Sequence, residues 1–185
     1  MQTRLLLIDF DGTLVDTRQA NYRAYRDALN EVKIHLDEEV YLREFFGLRC
    51  GDFLRKMGLT DSYEIDRLRR RKIEIYPEHF NTVKVNEWLW GFIQDFRKNG
   101  GKAWIVSTGQ TVNINNVMKH FNLEDAFDGV ITGADVIDSK PSPECFLKAM
   151  AAEGVTPQET LIFEDSVFGL EAAHKSGAQY VKVKF

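Results

Sequence analysis

The sequence predicts an α/β protein with a parallel sheet and a helical segment inserted after the first strand. Residues 5–8 form an uninterrupted apolar run, which is typical of a strand buried on both faces of a parallel sheet. From about residue 85 onward, apolar strand-like runs alternate with amphipathic helical patterns, as they do in βαβ units. The stretch between these two regions shows helical periodicity alone.

Length and composition indicate an ordinary globular protein. The 185 residues suffice for one domain with an insertion, and a content of 44% apolar and 28% charged residues is typical of globular chains. The net charge of −4 favours neither nucleic acid nor an anionic membrane as a partner. Cys50 and Cys145 form no CxxC pattern, and the N-terminal segment lacks the apolar length of a signal peptide or membrane span. We therefore expect a cytoplasmic protein.

Helical patterns fill the inserted segment. Glycine follows or ends two short helices, and Pro77 is expected to stop the last and longest one. The expected helices span residues 18–32, 37–47, 50–58 and 62–80. The basic run at 67–72 is interpreted as a solvated helix face, because the overall charge is acidic and the context helical.

Strand and helix then alternate along the rest of the chain. The strand patterns lie within residues 4–10, 102–107, 127–135, 160–166 and 179–185. The helical patterns between them cover residues 86–101, 111–123, 142–155 and 167–178. Ser142 is the expected N-cap of the third of these helices, with Pro143 at its first position. We predict a core formed by residues 1–15 and 85–185, and an insertion of residues 16–84.

Polar side chains follow four of the predicted strands. In open α/β sheets, ligands bind outside the carboxyl ends of the strands, so these side chains are candidate site residues. They are Asp9 and Asp11, Ser107 and Thr108, Lys140, and Glu164 and Asp165.

The chemistry of this set favours a metal ion and a phosphate group. Four neighbouring acids repel one another unless a hard cation with oxygen ligands sits among them, and Mg²⁺ suits that ligand set. A lysine and two hydroxyl groups complement a phosphate. A carboxylate can attack phosphorus as a nucleophile, while a second acid two residues away moves the proton.

Four segments resemble the motifs of the haloacid dehalogenase-like hydrolase superfamily. They are DFDGT at 9–13, Ser107, Lys140 within SKPSPE, and EDS at 164–166. The segments around the last two resemble the branch that contains β-phosphoglucomutase and small sugar-phosphate phosphatases. The resemblance implies a Rossmann-like parallel sheet core with a helical cap inserted after the first strand, and residues 16–84 match the cap in position.

The resemblance also implies a role for each motif residue. Asp9 would attack phosphorus and become an aspartyl-phosphate, and Asp11 would protonate the leaving oxygen and later deprotonate water. Ser107 would hydrogen-bond the phosphoryl group, and Lys140 would neutralise it and hold Asp9.

Further ligand contacts follow from the same resemblance. Asp165 would bind Mg²⁺ together with Asp9 and the backbone carbonyl of Asp11, while Glu164 is either another ligand or a partner of one. The backbone N–H groups at Gly12 and Thr108 would face phosphate oxygens.

Two residues of the insertion are candidate substrate contacts. Asn21 occupies the position at which the mutase and several phosphatases carry a histidine, and this argues against a mutase. Arg49 comes directly after FFGL at 45–48, and a glycine-flanked cap loop faces the site in the family that the sequence resembles.

We therefore expect a Mg²⁺-dependent phosphoric monoester hydrolase that acts on a small phosphorylated metabolite through an aspartyl-phosphate. The alternatives are a phosphomutase of the β-phosphoglucomutase type and a non-catalytic phosphate-sensing module. A monomer or weak dimer is expected, with no nucleic-acid or membrane partner.

Overall fold

The structure, a computed structural model, describes residues 2–185 and divides into two compact units. The first unit contains the chain up to Asp16 together with Lys84–Phe185, and the second is Thr17–Val83. Each unit is described by itself below.

The first unit contains a five-stranded parallel sheet in the order β5-β4-β1-β6-β7, which confirms the predicted α/β fold. The strands of the chain are β1 (Leu5–Ile8), β2 (Val15–Asp16), β3 (Lys84–Val85), β4 (Lys102–Val106), β5 (Gly129–Ile131), β6 (Thr160–Glu164) and β7 (Gln179–Lys182). All four side chains of β1 are completely buried, because this strand is central in the sheet. Strands β2 and β3 pair antiparallel where the chain leaves the first unit and returns to it.

Eight α-helices accompany these strands in the described part of the chain. They are α1 (Arg18–Asn30), α2 (Glu38–Val40), α3 (Cys50–Lys56), α4 (Ser62–Ile75), α5 (Glu87–Lys98), α6 (Thr111–His120), α7 (Glu144–Glu153) and α8 (Val167–Ser176). None of the helices in the described residues is both long enough and apolar enough to cross a bilayer.

Helices α7 and α8 pack against the sheet around one apolar cluster. The cluster joins β1, β4 and β6 to the inner faces of both helices, through residues such as Leu7, Ile162, Phe146 and Ala172. Helix α7 begins at Glu144, so Pro143 is its N-cap residue rather than its first residue. Ser142 still contributes, because its hydroxyl accepts a hydrogen bond from the N–H of Glu144 at 3.3 Å.

The second unit is helical, with two departures from the expected elements. The segment predicted as one short helix at 37–47 is a three-residue α2 followed by a π-helical turn, Tyr41–Phe45. Helix α4 ends at Ile75, and a 3₁₀ helix, Tyr76–Thr82, contains Pro77 at its start. Proline donates no backbone hydrogen bond, which explains why the α-helical ladder stops here.

The basic run at 67–72 is only partly solvated. Arg71 lies on the surface and pairs with Glu31 and Glu74. Lys72, by contrast, is 2% exposed, and its Nζ lies 3.7 Å from the centre of the Tyr76 ring. The helical periodicity of α4 places Lys72 on the inner face, so the interpretation of the whole run as a solvated face was wrong for this residue.

Candidate active site

The ends of three neighbouring strands bring the motif residues of the first unit together. Asp9 follows β1, and its N–H donates to the carbonyl of Phe163 in β6 at 3.0 Å. Ser107 follows β4, and its N–H donates to the carbonyl of Ile131 in β5 at 2.9 Å. Glu164 is the last residue of β6. Parallel pairing thus aligns these carboxyl ends at one edge of the sheet.

Lys140 links three of these strand ends. Its buried Nζ donates to Oδ1 of Asp9 at 2.6 Å, to Oε1 of Glu164 at 2.7 Å and to the carbonyl of Val106 at 3.1 Å. These three acceptors use all three ammonium hydrogens. The lysine on the loop after β5 is therefore fixed against Asp9.

Burial and charge act in opposite directions on this ion pair. Burial raises the pKa of Asp9 well above its ordinary value, and the charge of Glu164 raises it further, while Lys140 offsets part of this rise. Burial lowers the pKa of Lys140, but the charges of Asp9 and Glu164 outweigh burial and keep that pKa above its ordinary value. The surroundings of Lys140 therefore favour its charged form, and the raised pKa of Asp9 shows that the lysine offsets only part of the cost of burying that carboxylate.

Glu164 is held in place on both of its carboxylate oxygens. Oε1 accepts from Lys140, and Oε2 accepts from the N–H and the hydroxyl of Ser166 at 2.8 and 3.0 Å. Ser166 also caps α8 by accepting from the N–H of Gly169. A methyl group at position 169 would overlap the Glu164 carboxylate, so only glycine allows this close approach.

Asp165 lies beside the first motif. Oδ1 of Asp165 accepts a hydrogen bond from the hydroxyl of Thr13, a completely buried residue, at 3.2 Å. Burial raises the pKa of Asp165 to about 6, and the charge of Glu164 adds to the effect. Gly12 has φ +94°, and a side chain there would overlap the Asp165 carboxylate. Glycine is therefore required at position 12 both by backbone conformation and by space.

Asp9, Glu164 and Asp165 form a candidate metal site. One carboxylate oxygen from each lies within 4.8 Å of the others. Burial raises the pKa of Asp9 and of Asp165 most, and the negative charge of Glu164 raises both further; a cation at this place would offset that charge. An all-oxygen donor set of this kind fits a hard divalent cation such as Mg²⁺. The side chain of Asp11 is not part of this group of three.

Ser107 and Asp11 lie close to one another next to Gly109. The hydroxyl oxygen of Ser107 accepts from the N–H of Gly109 at 3.0 Å, which leaves the hydroxyl hydrogen able to donate elsewhere. Thr108, which lies between Ser107 and Gly109 in the sequence, is partly exposed. The N–H of Gly12, expected to face a phosphate, donates instead to the carbonyl of Val15 at 2.7 Å. That donor is therefore already in use.

The two predicted substrate contacts of the insertion lie in the second unit. The amide of Asn21 is engaged at both ends, because Oδ1 accepts from Lys72 at 2.7 Å and Nδ2 donates to the Thr17 hydroxyl and to Tyr76. Nη2 of Arg49 is buried and has no hydrogen-bond partner among residues 2–185. Their contact with substrate stays a prediction.

The prediction from sequence gave no role to the residues that support the motif side chains, although two of them, Thr13 and Ser166, lie within the quoted motifs. Thr13, Ser166 and Gly169 hold Asp165 and Glu164 in position. The serine directly before the helical pattern at 167–178 was a recognisable N-cap signal. No comparable signal pointed to Gly169, since its role depends on close contact between its backbone in the first turn of α8 and the Glu164 carboxylate.

One family model and several curated relatives match nearly the whole of this chain. The family model described as haloacid dehalogenase-like hydrolase matches residues 6–183. The chain is similar to pyrophosphatase PpaX of Anoxybacillus flavithermus, at 31% identity over 97% of this chain and 82% of the relative. It is also similar to fructose-1-phosphate phosphatase YqaB of Escherichia coli, at 26% identity over 97% of this chain and 95% of the relative.

A solved structure shares the fold. CbbY from Rhodobacter sphaeroides, in complex with xylulose-(1,5)bisphosphate, superposes with a TM-score of 0.90 at 20% identity. The match covers 100% of this chain and 87% of that one. Because the family model spans nearly the whole sequence and the curated relatives are phosphatases, the predicted superfamily and enzyme class are confirmed. The chain belongs to the haloacid dehalogenase-like hydrolase family, in its group of phosphatases.

Proposed function

We propose that this phosphatase uses Mg²⁺ to hydrolyse a small phosphomonoester, such as a sugar phosphate, through an aspartyl-phosphate at Asp9. One observation carries the proposal: Lys140 holds Oδ1 of Asp9, while Oδ2 accepts no hydrogen bond from residues 2–185. A carboxylate with one oxygen fixed and the other open is suited to in-line attack on phosphorus.

In the first step, Oδ2 of Asp9 forms a bond to phosphorus as the ester P–O bond breaks. Asp11 gives its proton to the leaving alcohol oxygen. Lys140 and the Ser107 hydroxyl stabilise the negative charge on the transferring phosphoryl oxygens. The product alcohol then departs.

In the second step, water attacks the phosphorus of the aspartyl-phosphate. Asp11, now ionised, accepts a proton from this water, and the bond between phosphorus and Asp9 breaks. Inorganic phosphate leaves, and both aspartates return to their starting protonation states. The same group serves as acid and base because the second step reverses the proton transfer of the first.

The candidate metal site supports Mg²⁺ dependence. Asp9 and Asp165 are the proposed side-chain ligands, with the carbonyl of Asp11. Mg²⁺ supplies charge neutralisation for the acidic cluster and for the phosphoryl oxygens. Glu164, the third member of the candidate site, is proposed to hold Lys140 and Ser166 in place, because its oxygens accept hydrogen bonds from both.

The proposed substrate class rests on the relatives and on one side chain of the second unit. YqaB is named as a fructose-1-phosphate phosphatase, and the crystal structure of CbbY contains the sugar bisphosphate xylulose-(1,5)bisphosphate. We assign the helical unit Thr17–Val83 the role of cap, with Arg49 as its candidate substrate contact. The unpartnered Nη2 of Arg49 supports an anionic or hydroxyl-bearing ligand.

The test is a screen of phosphorylated metabolites with and without Mg²⁺, using wild-type protein and the Asp9→Asn variant. Wild type should release phosphate only with the metal, and Asp9→Asn should release none while keeping its fold. Asp95→Asn makes the same change at an exposed position of α5 and should retain full activity. Turnover by Asp9→Asn would contradict the nucleophile assignment.

Pyrophosphate is a second candidate substrate, because the relative at 31% identity is a pyrophosphatase. Including pyrophosphate in the screen separates the two classes. The mutase alternative predicts that a hexose 1-phosphate becomes the 6-phosphate without release of inorganic phosphate. A sensing module would hold its phosphate for minutes without turnover.

A further inference from the structure

A cleft of about 560 Å³ lies beside the beginning of β4, whereas Ser107 of the candidate active site follows the last residue of that strand. The five residues of β4, at about 3.3 Å each, separate the two places by roughly 15 Å. One face of α5, the turn after that helix and the segment 126–128 before β5 form the walls of the cleft. Its volume lies in the range of about 300–1,000 Å³ that small-molecule sites occupy.

Basic side chains outnumber acidic ones in the lining of this cleft. Arg97, Lys98 and Lys102 line it, and Asp128 is the carboxylate that the described residues place among them. Oδ1 of Asp128 accepts from Nζ of Lys102 at 2.9 Å. Oδ2 accepts from Nε of Arg97 at 3.0 Å and from the N–H of Ala103 at 2.9 Å. The carboxylate is thus neutralised by its neighbours, and the cleft keeps an excess of positive charge although the whole chain carries −4.

The guanidinium of Arg97 is held in place with one edge left over. Its Nε donates to Asp128, and its Nη1 donates to the carbonyl of Ala126 at 2.6 Å, while Nη2 donates to no atom of residues 2–185. Lys102 uses one of its ammonium hydrogens on Asp128, and Lys98 is exposed and forms no ion pair in the described part of the chain. A guanidinium edge beside two ammonium groups is suited to the oxygens of a phosphate group.

An aromatic side chain lies in the same lining. Trp90 is half-buried and lies two helical turns before Arg97, on the same face of α5. Its ring contacts the Phe127 ring, with the two centroids 6.0 Å apart, and this contact helps to hold the indole. Gly100 lines the cleft as well, and a methyl group there would meet nothing within 4 Å, so the turn after α5 leaves the space open. A flat indole beside several cations is suited to a ligand that combines an aromatic ring with an anionic group.

From this arrangement we infer that the cleft binds an aromatic anion of the mononucleotide class, at a site separate from the active site. The base stacks on the indole of Trp90. The phosphate contacts Nη2 of Arg97 and the ammonium groups of Lys98 and Lys102. Asp128 positions two of these three cations before the ligand arrives, so less side-chain freedom is lost on binding.

The test is calorimetric titration of the full chain, in metal-free buffer, with adenosine 5′-monophosphate (AMP), adenosine and ribose 5-phosphate. AMP should bind at least about tenfold more tightly than ribose 5-phosphate, which lacks the base, because one base–aromatic stack contributes about that much. It should exceed adenosine, which lacks the phosphate, by a similar factor. Equal affinities for AMP and either fragment, or no binding of AMP at all, would overturn the inference.

Two tryptophan variants of the same helix locate the bound base. Trp90→Leu should weaken AMP binding about tenfold and leave the binding of ribose 5-phosphate unchanged. Trp88→Leu is the matched control, because Trp88 is exposed and its ring contacts Phe163 rather than the cleft. It should bind AMP as wild type does. Equal AMP affinities for Trp90→Leu and wild type, or equal losses in the two variants, would refute stacking in this cleft.

A lysine variant tests the cations without disturbing the fold. Lys98→Gln should weaken AMP binding about threefold and reduce its salt dependence, because one exposed charge is removed. Lys119→Gln changes an exposed lysine of α6 that does not line the cleft, and it should do neither. Phosphate release from p-nitrophenyl phosphate with Mg²⁺ should be the same in all four variants and in wild type. A parallel loss of AMP binding and phosphate release in Trp90→Leu or Lys98→Gln would refute a separate site.

Discussion

Replacing Lys140 with methionine removes an ammonium that contacts both Asp9 and Glu164. Methionine keeps much of the side-chain volume, so the change is mainly one of charge and hydrogen bonding. Lys140 is 6% exposed, and its partners are no more than 10% exposed. Water therefore cannot replace the lost contacts without opening the site.

The size of the effect follows from this burial. Removing one partner of a buried ion pair costs about 3–5 kcal/mol of unfolding free energy, because the remaining charge stays buried and uncompensated. Lys140 lowers the pKa of Asp9, so the variant should have an even higher Asp9 pKa. A folded state with a raised carboxyl pKa loses stability as the pH rises above the unfolded value. The deficit should accordingly be larger at about pH 8 than at about pH 5.

Denaturant unfolding at the two pH values measures this deficit, and phosphate release measures the loss of activity. The double variant Lys140→Met with Glu164→Gln removes the charge of one of the two buried acids that the ammonium neutralised, and it should recover part of the stability but no activity. Lys148→Met is the control, since its ion pair with Glu144 lies on the surface. A loss in Lys140→Met no greater than that in Lys148→Met, or one independent of pH, would refute the reasoning.

Three further predictions concern the residues around this ion pair. Gly169→Ala should lose about 3 kcal/mol of unfolding free energy and most of the activity, because its methyl group displaces Glu164. Gly91→Ala is the control and should lose neither, because its methyl group meets nothing within 4 Å. Equal unfolding curves for the two variants would contradict this prediction. Burial raises the pKa of Asp165 to about 6 in the absence of metal. The contribution of Asp165 to the unfolding free energy should therefore fall by roughly 1–2 kcal/mol as the pH rises from about 4 to 7. Added Mg²⁺ should restore this stability at pH 7, as measured in thermal scans. Thr13→Val removes the hydroxyl that donates to Asp165 and should weaken Mg²⁺ binding in calorimetry, while unchanged binding would show that this hydrogen bond does not orient the carboxylate.

The strand ends were predictable from the sequence because the signal was local. An apolar run followed by an acid marks both the strand and the point where it stops, as at Asp9 and Glu164. Lys140 was predictable only through its motif, since a lysine on a loop has no periodicity. Its contacts span 131 residues to Asp9 and 24 residues to Glu164.

Other features depend on contacts that no local pattern encodes. Lys72 contacts the Tyr76 ring within its own stretch of helix, but its contact with the Tyr25 ring joins two distant parts of the chain. The engagement of the Asn21 amide has the same origin, because its partners lie on α4 and on the 3₁₀ helix that follows. The hydrogen bonds of the π-helical turn at Tyr41–Phe45 reach one residue further than those of an α-helix, and the sequence has no distinct signal for it.

The central claim is that Asp9 carries the phosphoryl group during turnover. The most direct measurement is acid quench of a single turnover, followed by borohydride reduction and peptide mass spectrometry, since reduction converts an aspartyl-phosphate to homoserine. The account predicts homoserine at position 9 and nowhere else in the wild type, formed only while substrate is being consumed. Substrate turnover that leaves position 9 as aspartate, or that modifies another residue instead, would contradict it.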